Sequence, residues 1–275
     1  MGDLIQGDDG LIAEEVHDWV KRKHELLCYY LDTAKMVRKK PVVRDKKPVS
    51  TYIDVFCGTG RALIKETGEW VDGSPLAAWR SSVASESPFT RMYIADIEPP
   101  RRDACAERLA SAGAPFEVIE GDAIAASKAI AKRLDPYGYH FALVDPFGLA
   151  DLDFHIIAAL SRLKRMDMMI HLSALGLNRN AWQHVGEDKG FDRLAPGWRE
   201  HVHLPASSWK LREGVVNYWR TKVASLGKWP SPLMKLITVD NKRLYWLALA
   251  SGSDLAHRFW KDAVESEHKQ GSWDF

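Results

Sequence analysis

The run Tyr52-Ile53-Asp54-Val55-Phe56-Cys57-Gly58-Thr59-Gly60 constrains the fold most, because an apolar strand here runs straight into a glycine-rich turn. Glycine in such a turn lets the backbone approach a ligand where a side chain would collide. The spacing is GxG without the third glycine of GxGxxG, and no GKS or GKT follows, so dinucleotide and P-loop readings lose ground. Taken alone, the pattern also fits an ordinary tight turn.

Its surroundings narrow the choice. Short apolar runs at residues 50–56, 91–96, 116–119, 140–144 and 167–172 are each too short for a helix. Stretches of helical pattern separate most of them, which is the mark of βαβ units and a parallel sheet. Residues 233–239 and 244–250 are two β-rich runs joined by Asp240-Asn241-Lys242-Arg243, which predicts a hairpin. Val16, Trp19, Val20, Leu26, Leu27, Tyr30 and Leu31 recur at roughly helical spacing and predict one amphipathic helix over residues 11–36. The chain of 275 residues, 46% hydrophobic, can bury a full core. We expect a single domain over residues 1–275, with an N-terminal helical segment at 11–48 and a lid-like insertion at 176–214.

Three further acids stand at strand ends in the same manner as Asp54. Asp96 closes the second strand, with Glu98 just beyond it, and is suited to ribose hydroxyls; Asp122 closes the third in Glu120-Gly121-Asp122-Ala123 and is suited to an adenine amino group. Val144-Asp145-Pro146-Phe147-Gly148 closes the fourth. Ligands of open α/β sheets bind beyond the carboxyl ends of the strands, so the four acids should converge on one crevice. Singly, each is also explained as the cap of the next helix.

These motifs are similar to those of the three-Cys-motif partner proteins and, more distantly, of bacterial adenine-N6 methyltransferases that modify large-subunit ribosomal RNA. The resemblance runs through Lys23-His24, the Asp54 to Gly60 turn, Gly73-Ser74-Pro75-Leu76, Asp96, Gly121-Asp122-Ala123 and Asp145-Pro146-Phe147-Gly148-Leu149. It implies a class I methyltransferase-like Rossmann fold, α/β, with a seven-stranded mostly parallel sheet ending in an antiparallel hairpin. It further implies S-adenosylmethionine as cofactor, held around Lys23, Asp54, Phe56, Gly58, Gly60, Ser74, Asp96, Asp122, Ala123 and Asp145. Ser74 as an N-cap, or Lys23 on a solvated basic helix face beside Lys21 and Arg22, explains those two residues equally well.

In the adenine enzymes the fourth-strand motif reads Asp-Pro-Pro-Tyr, where the acid accepts hydrogens of an amino group and the aromatic stacks on the base. Here Asp145 keeps the acceptor, Pro146 keeps the first proline, and Gly148 lacks the aromatic; Phe147 either supplies a stacking face one residue early or packs into the core. Asp145, Pro146 and Phe147 are therefore the expected catalytic residues, and a nucleobase amino group in RNA or DNA the expected acceptor. A small-molecule or protein acceptor is the alternative. A third possibility is a non-catalytic subunit serving a cysteine-motif, radical-type partner protein.

Net charge is +1, from 38 basic and 37 acidic residues, so nucleic acid must be met by a local patch. Candidates are Lys35, Arg38, Lys39, Lys40, Arg44, Lys46 and Lys47, and the mixed set Trp198, Trp209, Lys210, Arg212, Trp219 and Arg220. A solvated loop and a tryptophan-rich core are the plain alternatives. Asn178-Arg179-Asn180 can line an acceptor pocket or start a helix. The three cysteines lack CxxC spacing and His201 and His203 lack a third ligand, so no metal is expected. Without a signal peptide pattern or a long apolar stretch, a cytoplasmic protein that does not enter membranes is expected.

Overall fold

The computed structural model describes residues 3–40, 47–173, 184–186, 189–203, 207–232, 234–237 and 243–270. Its elements run β1 (Leu4–Gln6), β2 (Ile12–Val16), α1 (Trp19–Thr33), α2 (Lys35–Lys39), β3 (Ser50–Asp54), β4 (Arg61–Ile64), β5 (Trp70–Asp72), α3 (Ser74–Ala84), β6 (Arg91–Ile94), α4 (Pro99–Ser111) and β7 (Phe116–Val118). They continue with α5 (Ala123–Ala131), β8 (Tyr139–Val144), α6 (Phe154–Leu160), β9 (Met166–Ser173), α7 (Gly190–Leu194), α8 (Ser208–Ser225), β10 (Trp229–Pro230), β11 (Met234–Ile237), β12 (Arg243–Ser251) and α9 (Asp254–Gln270).

All five short apolar runs form strands, and they lie side by side in the order β9-β8-β3-β6-β7, every neighbouring pair parallel. β12 joins antiparallel to β9, and β11 and β10 both run antiparallel to β12, along different stretches of it. The expected C-terminal hairpin is thus β11 with β12; its connecting residues 238–242 lie outside the described residues. Every residue of β8 is buried, as a central parallel strand with both faces covered requires. Alternate side chains feed two core layers. Ala142 and Val144 pack with α5, α6 and α8 on one side, while Phe141 and Leu143 pack with α1, α3 and α9 on the other.

The single helix expected over residues 11–36 is instead a strand followed by a helix. Ile12–Val16 pairs in parallel with Arg61–Ile64, and only Trp19–Thr33 coils, burying Val20, Leu26, Leu27, Tyr30 and Leu31. Strand pairing satisfies the backbone of residues 12–16 through a partner beyond the glycine turn, which a helical periodicity cannot reveal. β1, β2, β4 and β5 make a second, four-stranded sheet.

Of the lid-like insertion, residues 176–183 and Asn178-Arg179-Asn180 with them lie outside the described residues. In its described part, Phe191, Leu194 and Trp198 are fully buried and pack into the main sheet's core. Trp219 is fully buried too, and Arg220 donates to the carbonyls of Ser231 (2.6 Å) and Pro230 (3.1 Å), so the mixed aromatic-basic set does not form one surface. Only Trp209 among its tryptophans is exposed, at 56%. Arg38 likewise leaves its basic cluster, buried with its guanidinium donating to the Ser87 carbonyl at 3.0 Å and to that of Leu31; Arg44 and Lys46 lie outside the described residues. Among the described residues no helix is long and apolar enough to cross a membrane.

Candidate active site

β3 ends at Asp54 and the chain must reverse at once, with Gly58 at φ +55° and Gly60 at φ +78°, a region that glycine enters without strain. The turn packs closely. A Cβ on Gly73 would lie 2.7 Å from the Gly60 Cα, and one on Gly60 would lie 3.0 Å from Leu76 Cδ1. Asp96, at the end of the neighbouring strand, braces the loop by accepting from the Gly58 N–H at 3.0 Å and the Glu98 N–H at 2.9 Å.

Asp54 is wholly buried under the turn. It accepts from the Ser74 hydroxyl at 2.7 Å, the Tyr52 hydroxyl at 3.1 Å and the Phe56 N–H at 3.1 Å. Burial outweighs those donors and pushes its carboxyl up to about 7. Ser74 is therefore not the cap that its position before Pro75 suggested; Gly73 stands at the N-cap and Ser74 turns its hydroxyl inward.

A cleft of about 320 Å³ opens beside the turn, within the lower range of small-molecule sites. Lys23, Phe56, Gly58, Gly60, Ser74, Asp145, Pro146 and Phe147 line it, so the structure brings most of the expected residues together. Asp54 and Asp96 stand behind its wall as braces. Asp122 and Ala123 do not line it: Asp122 is exposed and accepts from the Ala125 N–H at 2.7 Å, capping α5.

At the floor, Lys23 is buried and ion-paired with Asp145, which excludes the solvated-face reading of that lysine. Burial raises the Asp145 carboxyl, but the ammonium beside it prevails and holds it below the usual carboxylate range, so it stays ionised. His171 from β9 lies behind, its Nδ1 3.3 Å from Asp145 Oδ1. Phe147 is 40% exposed and so is not part of the core; the Arg101 guanidinium sits 5.4 Å from its ring centre. Arg101 also pairs with Glu14 of β2 and, at 3.0 Å, with Glu98. The Glu14 carboxylate lies over Gly58, 3.1 Å from where a Cβ would be. Trp19 completes one wall, with the Lys23 ammonium 5.6 Å from its ring centre.

Sequence reasoning missed Glu14, Trp19, Arg101 and His171. One signal was present: His171 interrupts the otherwise apolar stretch Met168-Met169-Ile170-His171-Leu172. No group of three or more His, Cys, Asp or Glu arranged to hold a metal occurs among the described residues.

None of the family models compared matches the chain, and neither does any curated protein. Among solved structures it is similar to a Legionella pneumophila str. Philadelphia 1 protein of family DUF519, at 12% identity over 90% of each chain with a TM-score of 0.54. It is also similar to magnesium protoporphyrin IX methyltransferase from Synechocystis PCC 6803 with bound SAM (11% identity, 85% of this chain and 82% of that one, TM-score 0.42). A third is human methyltransferase 10 domain containing protein (8% identity, 84% of each chain, TM-score 0.43). At 12% identity only the fold is shared with the Legionella protein. It is a Rossmann-like α/β fold, with a mostly parallel sheet carrying the glycine turn at the end of its central strand.

Proposed function

We propose that the chain is an S-adenosylmethionine-dependent methyltransferase acting on a nucleobase amino group in RNA or DNA. The observation that carries this reading is Asp145, an ionised carboxylate held by Lys23 in the same cleft as the glycine turn.

The residues present fit the cofactor. Two glycines at positive φ present bare backbone to the cleft, and Ser74 and Phe56 line it beside them. Asp54 and Asp96 fix that backbone from behind through the hydrogen bonds to Ser74, Phe56 and Gly58. When bound, S-adenosylmethionine supplies an electrophilic methyl group, so positioning is the protein's main contribution and can supply about 7 to 11 kcal/mol toward the barrier. Asp145 accepts an N–H of the acceptor and orients its lone pair. Phe147 and Trp19 offer flat faces for a planar base, Phe147 one residue ahead of the aromatic in the adenine-enzyme motif. This reading takes up the resemblance to the three-Cys-motif partner proteins and the ribosomal RNA adenine enzymes.

Calorimetric titration with S-adenosylmethionine, followed by incubation with labelled cofactor and total RNA, DNA or cell extract, tests it. We expect binding and label in nucleic acid. Label in protein or small molecules transfers the reading to that acceptor class, and no heat at millimolar cofactor favours a non-catalytic partner subunit.

A further inference from the structure

The floor of the cleft holds a group that neither the fold nor the cofactor reading requires. His171 is 6% exposed, and neither of its ring nitrogens has an aligned hydrogen-bond partner among the described residues. Buried polar atoms are nearly always satisfied, and an unsatisfied one calls for a reason. The Tyr245 ring packs edge-on against the imidazole, 4.7 Å between centres, and keeps Nδ1 turned toward Asp145 Oδ1 at 3.3 Å. The groups facing the ring are Asp145 from the end of β8, with the Pro146 carbonyl near it, Lys23 from α1, and Tyr245 from β12; His24 of α1 acts on Asp145.

We propose that His171 is a positioning residue that stores, by way of Asp145, the proton the acceptor nitrogen releases. This rests on the methyltransferase reading above. The acceptor nitrogen gains a bond to the methyl carbon; the carbon–sulfur bond breaks with its electron pair going to sulfur; and the N–H proton passes through Asp145 to His171 and later to water. Before transfer the cleft holds the positive sulfonium, and His171 is neutral, its ring held down to about 4 chiefly by burial, with the Lys23 ammonium acting in the same direction and Asp145 opposing. After transfer the sulfur is neutral and the imidazolium takes over the positive charge beside Asp145. The net charge in this desolvated space stays constant, which removes the cost of creating or losing a buried charge during the reaction.

The experiment uses the full chain with 13C-labelled histidine, the His171 ring signal being the one missing in His171→Gln. Its titration is followed with saturating S-adenosylmethionine and with saturating S-adenosylhomocysteine, which differ by the sulfonium charge. We expect the His171 midpoint to lie about half a pH unit or more higher with the uncharged thioether, and Asp145→Asn to lower it in the free protein. Equal midpoints with the two ligands overturn the proposal, as does a His171 signal that ignores Asp145→Asn. His171→Gln, checked for an unchanged melting temperature, should keep its affinity for both ligands within about three-fold. A change of affinity beyond that would mean that His171 is a cofactor contact and overturns the assignment. If calorimetry detects neither ligand, the methyltransferase reading falls and this inference with it. Unequal failure, with binding intact and midpoints equal, removes only the role of His171.

Discussion

The two ends of β9 bury polar groups in opposite ways. At its start, Asp167 accepts from the hydroxyls of Tyr30 (2.9 Å), Tyr139 (3.0 Å) and Ser251 (2.6 Å), so one carboxylate ties α1, β8 and β12 to the strand. Further along the same strand, His171 is equally enclosed with neither nitrogen in an aligned hydrogen bond among the described residues, beside an ion pair that leaves Asp145 one oxygen free of Lys23. A buried polar group with every partner in place stabilises the fold; one left short of partners calls for a reason, and at His171, which lines the cleft, the reason we propose is chemistry. The contrast separates stability from chemistry along a single element, and each substitution below bears on it.

The largest effect is expected at the cleft end. Asp145→Ala should lower label transfer, counted per folded molecule, about 10²- to 10⁴-fold while cofactor affinity by calorimetry changes only a few-fold. Unchanged transfer would reject the acceptor role of Asp145. At the other end, Asp167→Ala strands three buried hydroxyls and should cost about 3 kcal/mol in urea unfolding, with transfer per folded molecule unaffected. If activity fell and stability held, the division between the two ends would be wrong.

Gly60→Ala tests the turn between these extremes. At φ +78° a Cβ is strained by about 1–2 kcal/mol and presses on Leu76 at 3.0 Å, so unfolding should move to lower urea and cofactor affinity should drop. Wild-type affinity would show that the turn's shape is not what the ligand reads.

The smallest effect is a change of slope with pH. Between its ordinary 3.8 and about 7, the folded chain keeps a proton on Asp54 that the unfolded chain has released, so the contribution of Asp54 to stability falls as pH rises. Between about 4 and its ordinary 6.5, the unfolded chain carries a proton on His171 that the folded chain lacks, so the contribution of His171 rises with pH. Urea midpoints at pH 4.5, 5.5 and 6.5 should therefore climb more steeply in Asp54→Asn than in wild type and less steeply in His171→Gln. Parallel curves would mean that neither group is as desolvated as its position implies.

What sequence could disclose here follows the range of the interactions involved. The five parallel strands are written locally, as apolar runs between helical patterns, and so is the turn, since its glycines adjoin the strand that aims it. Ser74 was ambiguous because its partner Asp54 lies twenty residues earlier, and a cap and an inward hydroxyl look alike in one dimension. Residues 12–16 read as helix because their strand partner lies beyond the turn. Trp198 and Trp219 fitted both a nucleic-acid patch and a tryptophan-rich core in sequence, because aromatic residues serve cores and interfaces alike; burial decides for the core. Asp122 shows the reverse: the motif carried it, and the geometry gives it to a helix end.

The pairing of β2 with β4 bears on how the chain comes together during synthesis. Glu14 reaches Gly58 only because Ile12–Val16 lies alongside Arg61–Ile64, with the Lys65 N–H donating to the Val16 carbonyl at 2.8 Å. During synthesis β2 can pair with β1 at once, but its other edge must wait on the ribosome until the residues after the turn have emerged. A peptide cut to residues 50–64 would lack the roof that this strand provides, so the turn is a product of the whole amino-terminal quarter and not a module that can be lifted out.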